Sequence, residues 1–284
     1  MRIYTVLFAV LLFLPFGASS KKQKLPKDFM FIPSSTVKVD SILVSHNAFY
    51  MLNHEVTNFE YRTFLNDLKK DGNETDFALA YPDTSAWLIQ RWFMQPMANL
   101  YFWHPAYDHY PVVNISKQGV ELYCEWLTKE IREIYGETIN DVRLPSKYEW
   151  VSAARGGSTG APYPWGTPNL QNAKGCALAN YLTIGDQNIT KTKDGLVVVS
   201  DSTFVISHTN EVFTTATVKS YTPNPYGLYN MSCNVAEMTA SNSAMGGHWH
   251  SPGYDIRITS EIKFDKGNPF VGFRPVITHM KPKK

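Results

Sequence analysis

Helical periodicity in this 284-residue chain is confined to the part before about residue 158, and the long remainder is punctuated by Gly, Pro, Asn and Asp. Three amphipathic segments stand ahead of that break. Thr57, with Glu60 three residues on, makes a capping box. Tyr61, Phe64, Leu65 and Leu68 then recur at helical spacing until Asp71-Gly72. A second helix is expected over 116–135, with Val120, Tyr123, Cys124, Leu127, Ile131 and Ile134 on its apolar face. A third spans 145–155, opened by Ser146 and Glu149 and stopped by Gly156-Gly157. Strands are expected near 41–45, 48–52, 196–199 and 273–277. Helices ahead of a long irregular half with short strands define an α+β fold. No Gly-rich phosphate loop follows a strand, so a βαβ architecture is excluded.

The first residues speak to compartment. Arg2, an apolar run over 3–16 and then Gly17-Ala18-Ser19-Ser20 describe a secretory signal peptide, residues 1–20. The run is shorter than the roughly 20 residues a membrane span needs, and no cysteine near the cleavage point offers a lipidation site. The mature chain is therefore expected to be exported, periplasmic or secreted, and soluble, reaching a membrane only through a partner. Pro26, Pro33 and Ser34-Ser35-Thr36 make 21–40 an extended, loosely tied segment. A single domain over 41–279 and a basic tail over 280–284 complete the chain. With 27 basic and 25 acidic residues there is no basic stripe for nucleic acid. Cys124, Cys176 and Cys233 allow at most one internal disulfide, and Cys124 is expected to pack in the core.

Specific strings carry more than periodicity. In order they are Glu55-Val56-Thr57-Asn58, Tyr110-Pro111-Val112-Val113-Asn114-Ile115-Ser116, Tyr123-Cys124-Glu125-Trp126-Leu127 and Arg143-Leu144-Pro145-Ser146. Ala153-Ala154-Arg155-Gly156-Gly157, Tyr163-Pro164-Trp165-Gly166, Asn234-Val235-Ala236-Glu237, Gly246-Gly247 and Gly272-Phe273-Arg274 follow. The ordered set resembles the formylglycine-generating-enzyme, or sulfatase-modifying, family over almost all of the mature length. The resemblance implies that family's C-type-lectin-related fold: low regular secondary structure, a few helices around a small twisted antiparallel sheet, often with calcium. Tyr81-Pro82-Asp83-Thr84, His104-Pro105-Ala106-Tyr107-Asp108 and Lys174-Gly175-Cys176-Ala177 resemble the gliding-motility lipoprotein K branch. That branch supplies a periplasmic ring subunit of type IX secretion.

Aerobic enzymes of the family place a copper-binding cysteine pair, five residues apart, just after a Gly-Gly turn. The turn here reads Gly246-Gly247-His248-Trp249-His250-Ser251, and the matching positions are Ser251 and Ile256. A soft metal wants sulfur, so no copper is expected, and Ser251 is an alcohol with no evident base. The expectation is a pseudoenzyme without catalytic residues: a scaffold with protein partners in an envelope or secretion complex, its homo-oligomerisation left open. The alternative is a metal-dependent enzyme or ligand-binding protein using a groove near His248 and His250. In an extended segment those two rings face one side, and His104, His109 or Asp255 could complete a site. Their plainer reading is a pair of hydrogen-bonded groove residues around Trp249.

The resemblance also implies calcium, a hard cation taking six to eight oxygens. Site one would use Asn230, Cys233, Val235 and Glu237, with Cys233 and Val235 giving carbonyls. Site two would use Asn180, Tyr181, Glu211 and Phe213, with Tyr181 and Phe213 giving carbonyls. Arg143, Glu149, Arg155 and Arg274 read as ion-pair partners joining loops. The aromatic segment 87–110 is the expected partner surface, through Trp87, Trp92, Trp103 and Tyr107. Such clusters anchor interfaces when exposed and fill cores when buried.

Overall fold

The computed structural model describes residues 25–39, 41–89, 94–184, 189–199, 206–208 and 214–279. Its α-helices among these are α1 (Asn58–Lys70), α2 (Glu74–Ala80), α3 (Gln95–Leu100), α4 (Lys117–Tyr135) and α5 (Lys147–Arg155). α1 and α5 both begin at complete capping boxes, Thr57 with Glu60 and Ser146 with Glu149, and α4 is capped by Ser116. Tyr61, Phe64 and Leu65 of α1 pack with Val120, Tyr123, Cys124 and Ile131 of α4 in one buried cluster. Ile134 departs from the expected apolar face and is 70% exposed, because the last turn of α4 runs past that cluster. α2 and α3 are short, and α3 opens with a proline, so neither carries a full apolar stripe.

The expectation that 21–40 is loosely tied is corrected by the structure. Phe29–Ile32 pairs antiparallel with Phe49–Leu52, and Ser35–Val39 pairs antiparallel with Ile42–His46. Phe29, Ile32, Val37 and Val39 are buried, so hydrophobic burial holds this segment and the domain's sheet begins ahead of residue 41. Pro26 and Pro33 fall outside these strands, where proline costs no ladder bond.

The first four-stranded sheet runs in the order Phe29–Ile32, Phe49–Leu52, Val276–Thr278, Val142–Arg143, antiparallel throughout. The second has the order Glu261–Lys263, Ser243–Met245, Ala236–Met238, Val271–Gly272, with the last pair parallel. Strands of two to five residues within long loops fit the α+β expectation. Among the described residues no helix is long and apolar enough to cross a membrane.

Candidate functional site

The second sheet delivers Glu237 to the middle of the molecule, and Arg274 arrives beside it just after Val271–Gly272. Both side chains are buried, and Glu55 lies with them. Arg274 Nε and Nη2 donate to Glu237 Oε1 at 3.1 and 2.6 Å, and Nε also reaches Oε2 at 2.9 Å. Trp150 Nε1 donates to Oε2 at 2.7 Å. The remaining guanidinium donors go to the carbonyls of Leu52 and Tyr229. Glu55 is 3.9 Å from Arg274 Nη2 and accepts from Asn234 Nδ2 at 2.9 Å and Asn230 Nδ2 at 3.3 Å. Burial, with the charge of Glu237 added, holds the Glu55 carboxyl above its usual range despite the opposing pull of Arg274.

Of the residues expected to form ion pairs, Arg143 pairs with Glu149, bidentate at 2.9 and 2.7 Å. Arg155 instead donates to the Lys38 carbonyl at 2.8 Å, because its helix end faces a hairpin strand rather than a carboxylate. Glu55 opens the string Glu55-Val56-Thr57-Asn58, but the string does not mark it as part of a charged centre. Its signal is a carboxylate two residues ahead of an N-cap.

Next to this centre lies the Gly246-Gly247 turn. Both glycines have positive φ, and a Cβ on Gly246 would meet Trp150 Cη2 at 2.8 Å, while one on Gly247 would meet Ile256 Cα at 2.9 Å. The turn therefore presses 248–251 against 255–256, and a groove of about 620 Å³ opens alongside, lined by His248, His250, Ser251, Asp255, Arg257 and Glu261 among others. Ser251 is buried, and its Oγ accepts from His248 N at 3.1 Å. Ile256 is fully buried with Tyr163, Ala179, Tyr181 and Cys233.

His248 Nδ1 accepts from the His250 backbone N at 3.3 Å. The His248 ring stacks on Phe270 with 4.3 Å between centroids, and burial pushes its pKa down to about 3. His250 lies over the same phenyl ring at 6.1 Å. His104 is spent elsewhere, accepting from Ala106 N as a helix cap. Among the described residues no three His, Cys, Asp or Glu side chains gather as metal ligands.

The calcium donors divide. Three N–H donors, Arg274 Nε, Arg274 Nη2 and Trp150 Nε1, already engage both oxygens of Glu237, and the guanidinium neutralises its charge. Site one as arranged therefore does not fit calcium through the Glu237 side chain, although Asn230 Oδ1 is a buried acceptor without a partner. Cys233 holds a left-handed backbone at φ 69°, the region glycine favours, and its thiol meets the carbonyls of Asn180 and His248. At site two, Asn180 is fully buried, its Nδ2 donates to Thr214 O, and its Oδ1 has no partner. That donor fits a cation; Glu211 and Phe213 lie outside the described residues.

The aromatic segment splits as well. Trp87 is buried between Tyr101, at 5.0 Å, and Trp249, at 6.3 Å, which corrects its expected place on a partner surface. Tyr107 is half-buried against Tyr101. Trp103 is 46% exposed and donates from Nε1 to the Tyr81 hydroxyl at 3.1 Å. Trp92 lies outside the described residues.

A fold of capped helices and two small sheets, with a Gly-Gly turn over a buried Glu–Arg centre, defines a class. The chain belongs to the sulfatase-modifying factor enzyme 1-like domain family, whose model matches residues 20–279. Among relatives, it is 29% identical over 219 residues to a formylglycine-generating enzyme of Bos taurus, covering 69% of this chain and 50% of that protein. It is 28% identical over 207 residues to an inactive C-alpha-formylglycine-generating enzyme 2 of Bos taurus, covering 66% of this chain and 57% of that protein. The chain thus spans about half the length of these curated relatives. PvdO from Pseudomonas aeruginosa shares the fold at a TM-score of 0.58 and 19% identity, over 90% of this chain and 98% of that one. The family holds members named as enzymes and members named as inactive.

Proposed function

We propose that this chain is a catalytically silent, exported member of the family that works by binding other proteins, as a subunit in or beside a type IX secretion ring. The observation that carries the reading is the filling of the two redox positions. Ser251 Oγ accepts from the His248 backbone N–H, and Ile256 is wholly apolar and enclosed. Neither residue supplies a thiolate, the nucleophile and soft-metal ligand of cysteine chemistry. The signal-like sequence over 1–20 supports export. The exposed Trp103–Tyr81 pair, carried on a buried aromatic base of Tyr101 and Phe102, supplies a rigid anchor of the type found at interface hot spots.

The test is recovery of the tagged mature protein from native envelope extract, with co-purifying proteins identified by mass spectrometry. Stoichiometric envelope subunits with the wild type, and their loss with a folded Trp103→Ala, are expected. Recovery of the chain alone would refute the reading. A structural calcium at Asn180 and Tyr181, completed by Glu211 and Phe213, belongs to the same proposal. Chelation should lower the melting temperature, and identical melting with and without calcium would remove the ion from the account.

A further inference from the structure

Where the hairpin Ser35–Val39/Ile42–His46 leans on α5, two hydroxyls and an imidazole meet. Ser35 and His46 are cross-strand partners, so both side chains stand on one face of the hairpin. His46 Nε2 lies 2.8 Å from Ser35 Oγ and 2.7 Å from Ser152 Oγ on α5, and the two hydroxyl oxygens are 2.9 Å apart. On the other side of the ring, Nδ1 lies 2.9 Å from the Asn47 carbonyl oxygen. A carbonyl oxygen can only accept, so Nδ1 carries the ring proton. In the neutral imidazole that leaves Nε2 as an acceptor facing the hydroxyls.

A hydroxyl, a base within hydrogen-bond reach of it and a third group orienting the base make up the arrangement that activates a serine. Ser152 is buried in α5, whereas Ser35 is half-buried at the start of its strand, so Ser35 is the hydroxyl a reactant reaches. His46 lines a groove of about 480 Å³ together with Val44, Ala48, Tyr148 and Thr278. Arg143 and Glu149 in the same groove are paired with each other, at 2.7 Å. A small groove whose charges are matched suits a short, uncharged acyl group, since a charge carried in would be desolvated without a partner.

We infer that Ser35 is a nucleophile activated by His46, and that it takes a short, uncharged acyl group from an ester. Ser35 Oγ bonds to the ester carbonyl carbon as its proton passes to His46 Nε2. The bond from that carbon to the alkoxy oxygen then breaks, and the alcohol leaves with the proton from Nε2. Acyl-Ser35 and the alcohol are the products, so atoms and electrons balance without a further reactant. The Ser152 hydroxyl donates to Ser35 Oγ, and the Asn47 carbonyl holds the ring in the required tautomer. This site shares no residue with Ser251 and Ile256. It goes beyond the reading above, in which the silence is that of the redox positions.

The test is incubation of the mature chain with p-nitrophenyl acetate, with the acetyl group located by peptide mapping. Acetylation of Ser35 in the folded chain and its loss in urea are expected. His46→Gln, with folding checked by circular dichroism, should slow acetylation of Ser35 by at least about a hundredfold, as removal of a general base does. Acetyl groups on lysines alone, or on Ser152 instead of Ser35, would overturn the inference. So would equal labelling of Ser35 in folded and urea-unfolded wild type, a comparison that needs no variant. Labelling indifferent to His46→Gln would also overturn it, and the three side chains would then only pin the hairpin to the helix.

Discussion

The buried Glu55–Arg274–Glu237 centre and the groove at the Gly246-Gly247 turn lie side by side, joined through Trp150 and Gly246, and they treat polar groups in opposite ways. In the centre, Arg274 is matched to Glu237, to two carbonyls and, at 3.9 Å, to Glu55, and Trp150 adds a third N–H donor to Glu237. In the groove, Ser251 Oγ accepts from the His248 backbone and His248 Nδ1 from the His250 backbone, while Ile256 alongside is wholly apolar and enclosed. Relatives named as enzymes and relatives named as inactive share this family, so the fold by itself does not fix the activity.

The strongest way to break the comparison is to remove Arg274. Arg274→Leu strands two carboxylates in the interior, and loss of one partner of a buried pair costs about 3–5 kcal/mol. Urea denaturation should therefore show a fully destabilised or unfolded chain, whereas a loss under about 1 kcal/mol would mean the centre is not what holds the loops. Almost as large is the contrast between two tryptophans of one segment. Trp87→Ala should cost about 3–5 kcal/mol, as buried aromatic truncations do. Trp103→Ala should stay within about 1 kcal/mol, and equal losses would erase the split between core and surface.

Rebuilding the redox pair gives a smaller effect. Ile256→Cys removes enclosed apolar volume and should cost about 2 kcal/mol, while Ser251→Cys weakens one hydrogen bond worth about 1 kcal/mol. Equal, negligible costs at both positions would show that Ile256 does not bear packing.

The smallest effects are in pH, and they have opposite signs. Glu55 has a raised folded pKa, so its contribution falls as pH climbs above the usual 4.5, and Glu55→Gln should flatten the alkaline limb of stability. His248 has a lowered one, so its contribution is complete above 6.5 and is lost as pH falls toward 3. At pH 5 that loss should be about 1 kcal/mol after allowance for its partial exposure. His248→Phe, which keeps the stack on Phe270, should remove it.

Sequence reached the helices because their signals are local: Thr57 with Glu60 and Ser146 with Glu149 state the start of α1 and α5 within four residues. It missed Phe29–Ile32 and Ser35–Val39, since strands of four or five residues are defined by partners elsewhere in the chain. The resemblance matched Ser251 and Ile256 to the family's cysteine positions, and the sequence shows that neither is a cysteine. What fills those positions was not legible, because Cys233, Tyr181 and Tyr163 come from three separate loops. The same limit applies to Trp87 and Trp103, whose different burial depends on Trp249 and Tyr81. Glu237 reads as a calcium ligand in its string and as an arginine partner in space.

The most direct measurement is a paired one on the purified mature chain: copper(I) titration, and incubation under oxygen with a cysteine peptide carrying a sulfatase sequence, read by mass spectrometry. The account predicts no stoichiometric copper at the Ser251–Ile256 positions and a peptide of unchanged mass. Tight copper binding with conversion of the peptide cysteine would contradict it.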